Sequence, residues 1–99
     1  ARRLIVTARN SDVAEVEIYT TMMCPFCWRA KSLLKKKGVA FTDIGVDGRP
    51  DKRREMSERA GGNQLVPQIF IDGTAIGGSD ELVALEMSGE LDRLLGIES

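Results

Sequence analysis

The feature that most limits what this chain can fold into is a strand-length run, VEIYT at residues 16–20, followed three residues later by Cys24-Pro25-Phe26-Cys27. β-branched and aromatic residues in such a run favour an extended strand. Proline suits the first position of a helix, where its missing N–H costs no intrahelical bond. Phe26, Ala30, Leu33 and Leu34 then recur at helical spacing, with Arg29, Lys31 and Lys35 to Lys37 between or after them. Gly38 ends the element, and the lysines before it suit the negative end of the helix dipole. The only two cysteines of the chain therefore stand where a strand hands over to a helix, with Cys24 at the N-cap and Cys27 one turn further on.

Beyond this unit, VAFTDIGV (39–46) reads as a second strand and DGRPD as a turn, and Pro50 opens a charged helix, DKRREMSERA, stopped by Gly61 and Gly62. VPQIFI (66–71) is the most apolar strand, and Asp72–Gly73 turns it back into TAIGG (74–78). Ser79 is expected to cap a last helix, with Asp80 and Glu81 in its first turn, and Leu82, Leu85, Leu91, Leu94 and Leu95 supply the apolar side of the C-terminal segments. The order is β-α-β-α-β-β-α. Strands joined through a helix run parallel and strands joined by a tight turn run antiparallel. The expected fold is α/β and thioredoxin-like, a mixed four-stranded sheet with helices on both faces.

Ninety-nine residues suffice for one domain with a hydrophobic core. Lys and Arg number 14 against 15 Asp and Glu, so no net basic field attracts nucleic acid or anionic lipid, and neither is an expected partner. No apolar run approaches the roughly 18 residues of a membrane span. Residues 1–14 read as an N-terminal extension without assignable function, and 15–99 as the folded domain. Two cysteines are too few for a disulfide-rich secreted scaffold, which favours a reducing cytoplasm.

Four readings of the cysteine pair compete. Zinc commonly takes four Cys or His ligands, and this chain has two cysteines and no histidine. A structural staple closing so short a loop removes little chain entropy. Two simply buried thiols are chemically ordinary. The redox reading has a specific mechanism: unsatisfied N–H groups and the helix dipole at an N-cap favour a thiolate, lowering thiol pKa values to about 3.5–7.5. Cys24 is then the nucleophile, and Cys27, on the same face, attacks a mixed disulfide formed at Cys24. The absent histidine leaves a Cys–His hydrolase without its base. Exchange chemistry needs none.

YTTMMCPFC at the first strand-to-helix turn, VPQIFIDG at the third strand and IGGSDEL at the start of the last helix together resemble the glutaredoxins of the dithiol class, over roughly residues 15–96. The resemblance implies a glutathione-dependent thiol–disulfide oxidoreductase that reduces disulfides and glutathione–protein mixed disulfides. No tightly bound cofactor is implied: glutathione is the reductant, regenerated by a separate NADPH-dependent reductase, and a monomer is expected. By position, Cys24 takes up glutathione, Cys27 resolves, and Val66–Pro67 matches a cis-proline turn whose preceding backbone pairs with the glutathione cysteine. Gly78, Ser79 and Asp80 would receive the γ-glutamyl end, and Phe26, where tyrosine is usual, would line the groove. Without the resemblance, Ser79 and Asp80 read as helix caps, Phe26 as core, and Trp28 as a partly exposed packing residue in preference to part of a protein-docking surface.

The departures from the family pattern are Thr21, where lysine commonly meets the glycyl carboxylate, Leu65 in place of threonine, and Asn63 or Gln64 in place of a basic residue. They imply weaker glutathione affinity or a less acidic Cys24, with Arg53, Arg54 or Arg59 as remaining cations. Two alternatives come from other classes: a carrier of a glutathione-ligated [2Fe–2S] cluster, against which Pro25 argues, and a non-catalytic interaction module.

Overall fold

The computed structural model describes residues 14–97. In these, β1 (Val16–Thr20), α1 (Pro25–Lys36), β2 (Thr42–Gly45), α2 (Pro50–Arg59), β3 (Gln68–Ile71), β4 (Thr74–Gly77), α3 (Ser79–Ser88) and α4 (Glu90–Leu95) follow one another. The extension read at residues 1–14 lies outside the described residues except for Ala14, whose N–H donates to the Leu95 carbonyl at 3.0 Å.

The sheet has the order β2-β1-β3-β4. β1 runs parallel to β2 and antiparallel to β3, and β3 and β4 form the antiparallel hairpin. Side chains alternate across a strand, and each face of the sheet is covered. Val16, Ile18, Ile69 and Ile71 pack on one side against Ala30 and Leu34 of α1, Leu82 of α3, and Leu91 and Leu95 of α4. Tyr19 and Phe70 point to the other side and pack with Met56 of α2 and Val46. Each fully buried side chain of this size contributes about 1.5–3 kcal/mol. The thioredoxin-like arrangement expected from the sequence is the observed one.

Among the boundaries that differ from the sequence reading, four have a clear structural cause. The second strand is only Thr42–Gly45, because its partner β1 offers five residues and pairing starts at Glu17 opposite Thr42. The third strand starts at Gln68, since Val66 and Pro67 form a cis peptide and proline has no N–H to place in a ladder. Ser79 is not the cap: Gly78 holds that position, its N–H donating to Glu81 Oε1 at 2.7 Å, and Ser79 becomes the first helical residue. The last helix is two, broken at Gly89, whose left-handed backbone (φ 82°) ends α3 and lets α4 fold back onto the core.

A polar tie holds α1 to the parallel pair beside the cysteines. Thr20, almost wholly buried, donates its hydroxyl to Asp43 Oδ1 at 2.6 Å, and Lys31 Nζ donates to Asp43 Oδ2 at 2.8 Å. Burial pushes the Asp43 carboxyl up, but hydrogen bonds from Lys31 and Thr20 and the charges of Lys31 and Lys35 outweigh it and hold it below the usual range. A carboxyl so depressed binds fewer protons folded than unfolded, so its stabilisation is complete above the unfolded value and lost as pH falls through the folded one. The Asp43 side chain is 37% exposed, so solvent screens part of this, and Asp43→Asn should cost less than about 1 kcal/mol at neutral pH. The difference from wild type should shrink below about pH 4. Urea midpoints across pH check this; a gap that does not narrow in acid contradicts it.

Candidate active site

Cys24 lies between β1 and α1 with an extended backbone (φ −139°, ψ 96°), and its Sγ accepts the N–H of Cys27 at 3.1 Å. This is the N-cap geometry that favours negative charge on sulfur. The two cysteines are joined as a disulfide, with Cα atoms 5.2 Å apart. They differ in access: Cys24 keeps 7% of its surface exposed and Cys27 none. An incoming thiolate therefore meets Cys24 first, with Cys27 as the leaving group.

Cys24 Sγ stands 4.0 Å from the carbonyl oxygen of Val66, beside the cis Val66–Pro67 peptide. Val66 and Pro67 in turn line a groove of about 270 Å³ that reaches the start of α3, bringing together Phe26, Leu65, Val66, Pro67, Gly78, Ser79 and Asp80, with Asn63 on its wall. The glycines let the walls approach. A Cβ on Gly77, which has φ 116°, would fall 2.8 Å from Glu81 Cγ, and one on Gly78 would fall 3.2 Å from the Pro67 carbonyl oxygen. The Gly-Gly step thus seats the first turn of α3 against the proline loop.

Thr21 does not line this groove. It sits in a separate depression with Met22, Trp28, Lys31, Asp43 and Asp47, and the Met22 N–H donates to Asp47 Oδ2 at 2.7 Å. Phe26 is not a core residue, being 58% exposed, and Trp28 is partly exposed, as read from the sequence. Met22, Met23 and Leu65 complete an exposed apolar collar near the disulfide. Of the three arginines considered as cations, Arg53 reaches the loop before the groove, its Nη1 donating to the Gln64 carbonyl at 3.1 Å. Arg59 does not: it is held on the opposite face of the sheet by Glu17 and Tyr19.

One residue bonded to the groove wall escaped the sequence reading. Arg29 of α1 donates from Nε to Ser79 Oγ at 2.7 Å and from Nη2 to Asp80 Oδ1 at 2.6 Å. Its guanidinium also lies 5.5 Å from the centre of the Phe26 ring. The available signal was spacing, since Arg29 follows Phe26 by three positions and shares its side of α1.

A family model described as Glutaredoxin matches residues 16–76. Glutaredoxin 3 of Escherichia coli K12 is 54% identical over 83 residues, covering 84% of this chain and 99% of that protein. Glutaredoxin of Pseudomonas aeruginosa is 54% identical over 80 residues, covering 81% and 94%. The solution structure of the Brucella melitensis glutaredoxin superposes with a TM-score of 0.75 at 48% identity, covering 87% of this chain and 92% of that one. These likenesses favour neither the cluster carrier nor the non-catalytic module. With a buried cysteine paired to an accessible one at the strand-to-helix turn, and with these relatives, the chain is a thiol–disulfide oxidoreductase and belongs to the glutaredoxin family.

Proposed function

We propose that the groove beside Cys24 takes glutathione, and that the chain uses it to reduce disulfides and glutathionylated proteins. The observation that supports this most is that Val66, whose carbonyl stands 4.0 Å from Cys24 Sγ, also lines the groove that ends at the polar first turn of α3. A tripeptide thiol has its cysteine in the middle and charged groups at its ends, and the groove offers a counterpart for each part. Val66 presents backbone beside the sulfur, with Pro67 holding the turn, and Phe26 and Leu65 form apolar walls. Gly78, Ser79 and Asp80 face the γ-glutamyl end, with the Asp80 carboxylate matching its ammonium. Thr21, which lines a separate depression, offers the glycyl end a hydroxyl but no charge.

In the cycle, a thiolate of Cys24 attacks the substrate disulfide, and its sulfur becomes linked to one half while the other half leaves as thiolate. Either a second glutathione attacks that link and frees Cys24, or Cys27 attacks it, frees the bound half and closes the Cys24–Cys27 disulfide, which two glutathione thiols then reopen. No resident cofactor is needed, and glutathione is consumed in its thiol form and released as its disulfide, for a separate reductase to recycle. A monomer acting in the cytoplasm fits this role. Among the described residues, no helix is long and apolar enough to cross a membrane.

The test is selectivity. With a peptide carrying glutathione on its cysteine, kcat/KM should exceed that for the same peptide carrying free cysteine by roughly tenfold or more, as loss of a charged recognition element requires. Equal rates on the two would defeat the glutathione reading and leave a general disulfide reductase.

A further inference from the structure

We infer that Arg29 is a specificity-determining residue of this groove, which with Asp80 reads the zwitterionic amino-acid end of the ligand as a matched pair of charges. The inference rests on the glutathione reading and adds to it a residue from a different helix. Arg29 reaches from α1 across to α3, and the two bonds it makes there, to Ser79 Oγ and Asp80 Oδ1, use two of its five N–H donors. Its remaining donors are available beside the groove. Ser79 accepts from Arg29, so its own hydroxyl hydrogen is left to donate.

The result is a guanidinium, a hydroxyl donor and a carboxylate within one hydrogen-bonded cluster: two groups that suit an α-carboxylate and one that suits an α-ammonium. The Arg29–Asp80 ion pair is exposed, with 48% and 85% of the two side chains accessible. Exposed pairs of this kind hold together weakly. Asp80 can therefore share itself with an incoming ammonium at small cost, while Arg29, still anchored on Ser79, turns its free edge to the carboxylate. A ligand carrying only one of the two charges leaves either the arginine or the aspartate without its new partner. The flat face of Phe26 beneath the guanidinium fixes where that edge lies.

The test uses one peptide carrying three different mixed disulfides: with glutathione, with γ-aminobutyryl-cysteinyl-glycine, which lacks only the α-carboxylate, and with glutaryl-cysteinyl-glycine, which lacks only the ammonium. Wild type should prefer glutathione over both by roughly tenfold in kcat/KM, carried mostly by KM. Arg29→Gln should lose the preference over the decarboxylated form and keep the preference over the deaminated one. Arg29→Lys, which retains the charge without the planar fork, should recover part of it. Wild type with no preference over either analogue overturns the glutathione reading itself. Wild type that distinguishes only the deaminated form, an Arg29→Gln variant that keeps both preferences, or one that loses both equally, overturns the role of Arg29 in reading the carboxylate.

Discussion

Cys24→Ser should abolish disulfide exchange, lowering the rate by on the order of 10³-fold or more, as loss of a nucleophile does. The reason is geometric as well as chemical. Cys24 is the sulfur that solvent can reach and the one held at the N-terminus of α1, where its Sγ already accepts the Cys27 N–H. A serine hydroxyl in that place is not ionised at neutral pH by an N-cap, so no nucleophile remains. Cys27→Ser should behave differently. With Cys24 intact, the first attack still occurs, and a second glutathione can complete the reduction of a glutathionylated peptide. What Cys27→Ser should lose is closure of the internal disulfide, and with it the reduction of protein disulfides that depends on Cys27 resolving the intermediate. Rates on both substrate types for the two variants check this. Activity surviving in Cys24→Ser would make Cys27 the nucleophile despite its burial, and equal loss in both variants would confine the chain to the two-cysteine route.

The residues that could be read in advance are those whose behaviour is decided locally. Val16–Thr20 is the first strand in both readings, because alternating β-branched and aromatic residues need only a neighbouring strand to pair with. Cys24 became the N-cap because Pro25 accepts only the first turn of a helix. Ser79 was misplaced by one residue because cap preference alone does not reveal that Glu81 already serves the Gly78 N–H, or that Arg29 draws the serine hydroxyl toward α1. The positions furthest from legible are the arginines. Arg29 meets partners 50 and 51 residues away, and Arg59 meets partners 40 and 42 residues away. Charge on a helix says that a side chain is solvated or paired, and only the tertiary fold says with what. Arg59 entered as a candidate cation for the ligand by its place on the second helix, and the fold gives it another task.

Arg59→Ala should destabilise the protein by about 3 kcal/mol while leaving the KM for glutathionylated peptide near the wild-type value, the figure being typical of removing one partner from a half-buried ion pair. The Arg59 guanidinium bonds Glu17 through Nη2 at 2.7 Å and Nη1 at 3.3 Å, and donates to the Tyr19 hydroxyl at 2.7 Å. It lies 4.1 Å from the centre of the Phe70 ring. Tyr19 in turn donates to Glu55 Oε2 at 2.5 Å. Burial and the hydrogen bond to Glu55 push the Tyr19 hydroxyl up, so it stays neutral and keeps both bonds at physiological pH. Two groups of β1, the Glu17 carboxylate and the Tyr19 hydroxyl, therefore depend on one cation, and truncating it leaves Glu17 facing the aromatic side of the sheet without a partner. Glu55, which the Tyr19 hydroxyl and Lys52 hold below its usual range, retains those two contacts, so the loss falls mainly on Glu17 and on the uncovered Phe70 face. Denaturant unfolding should register the loss as a lower midpoint with little change in slope. For a domain of this size, heating should show it as a drop of roughly 12–24 °C in Tm. A variant as stable as wild type but with a raised KM would return Arg59 to the ligand, against the geometry that turns it to the far side of the sheet.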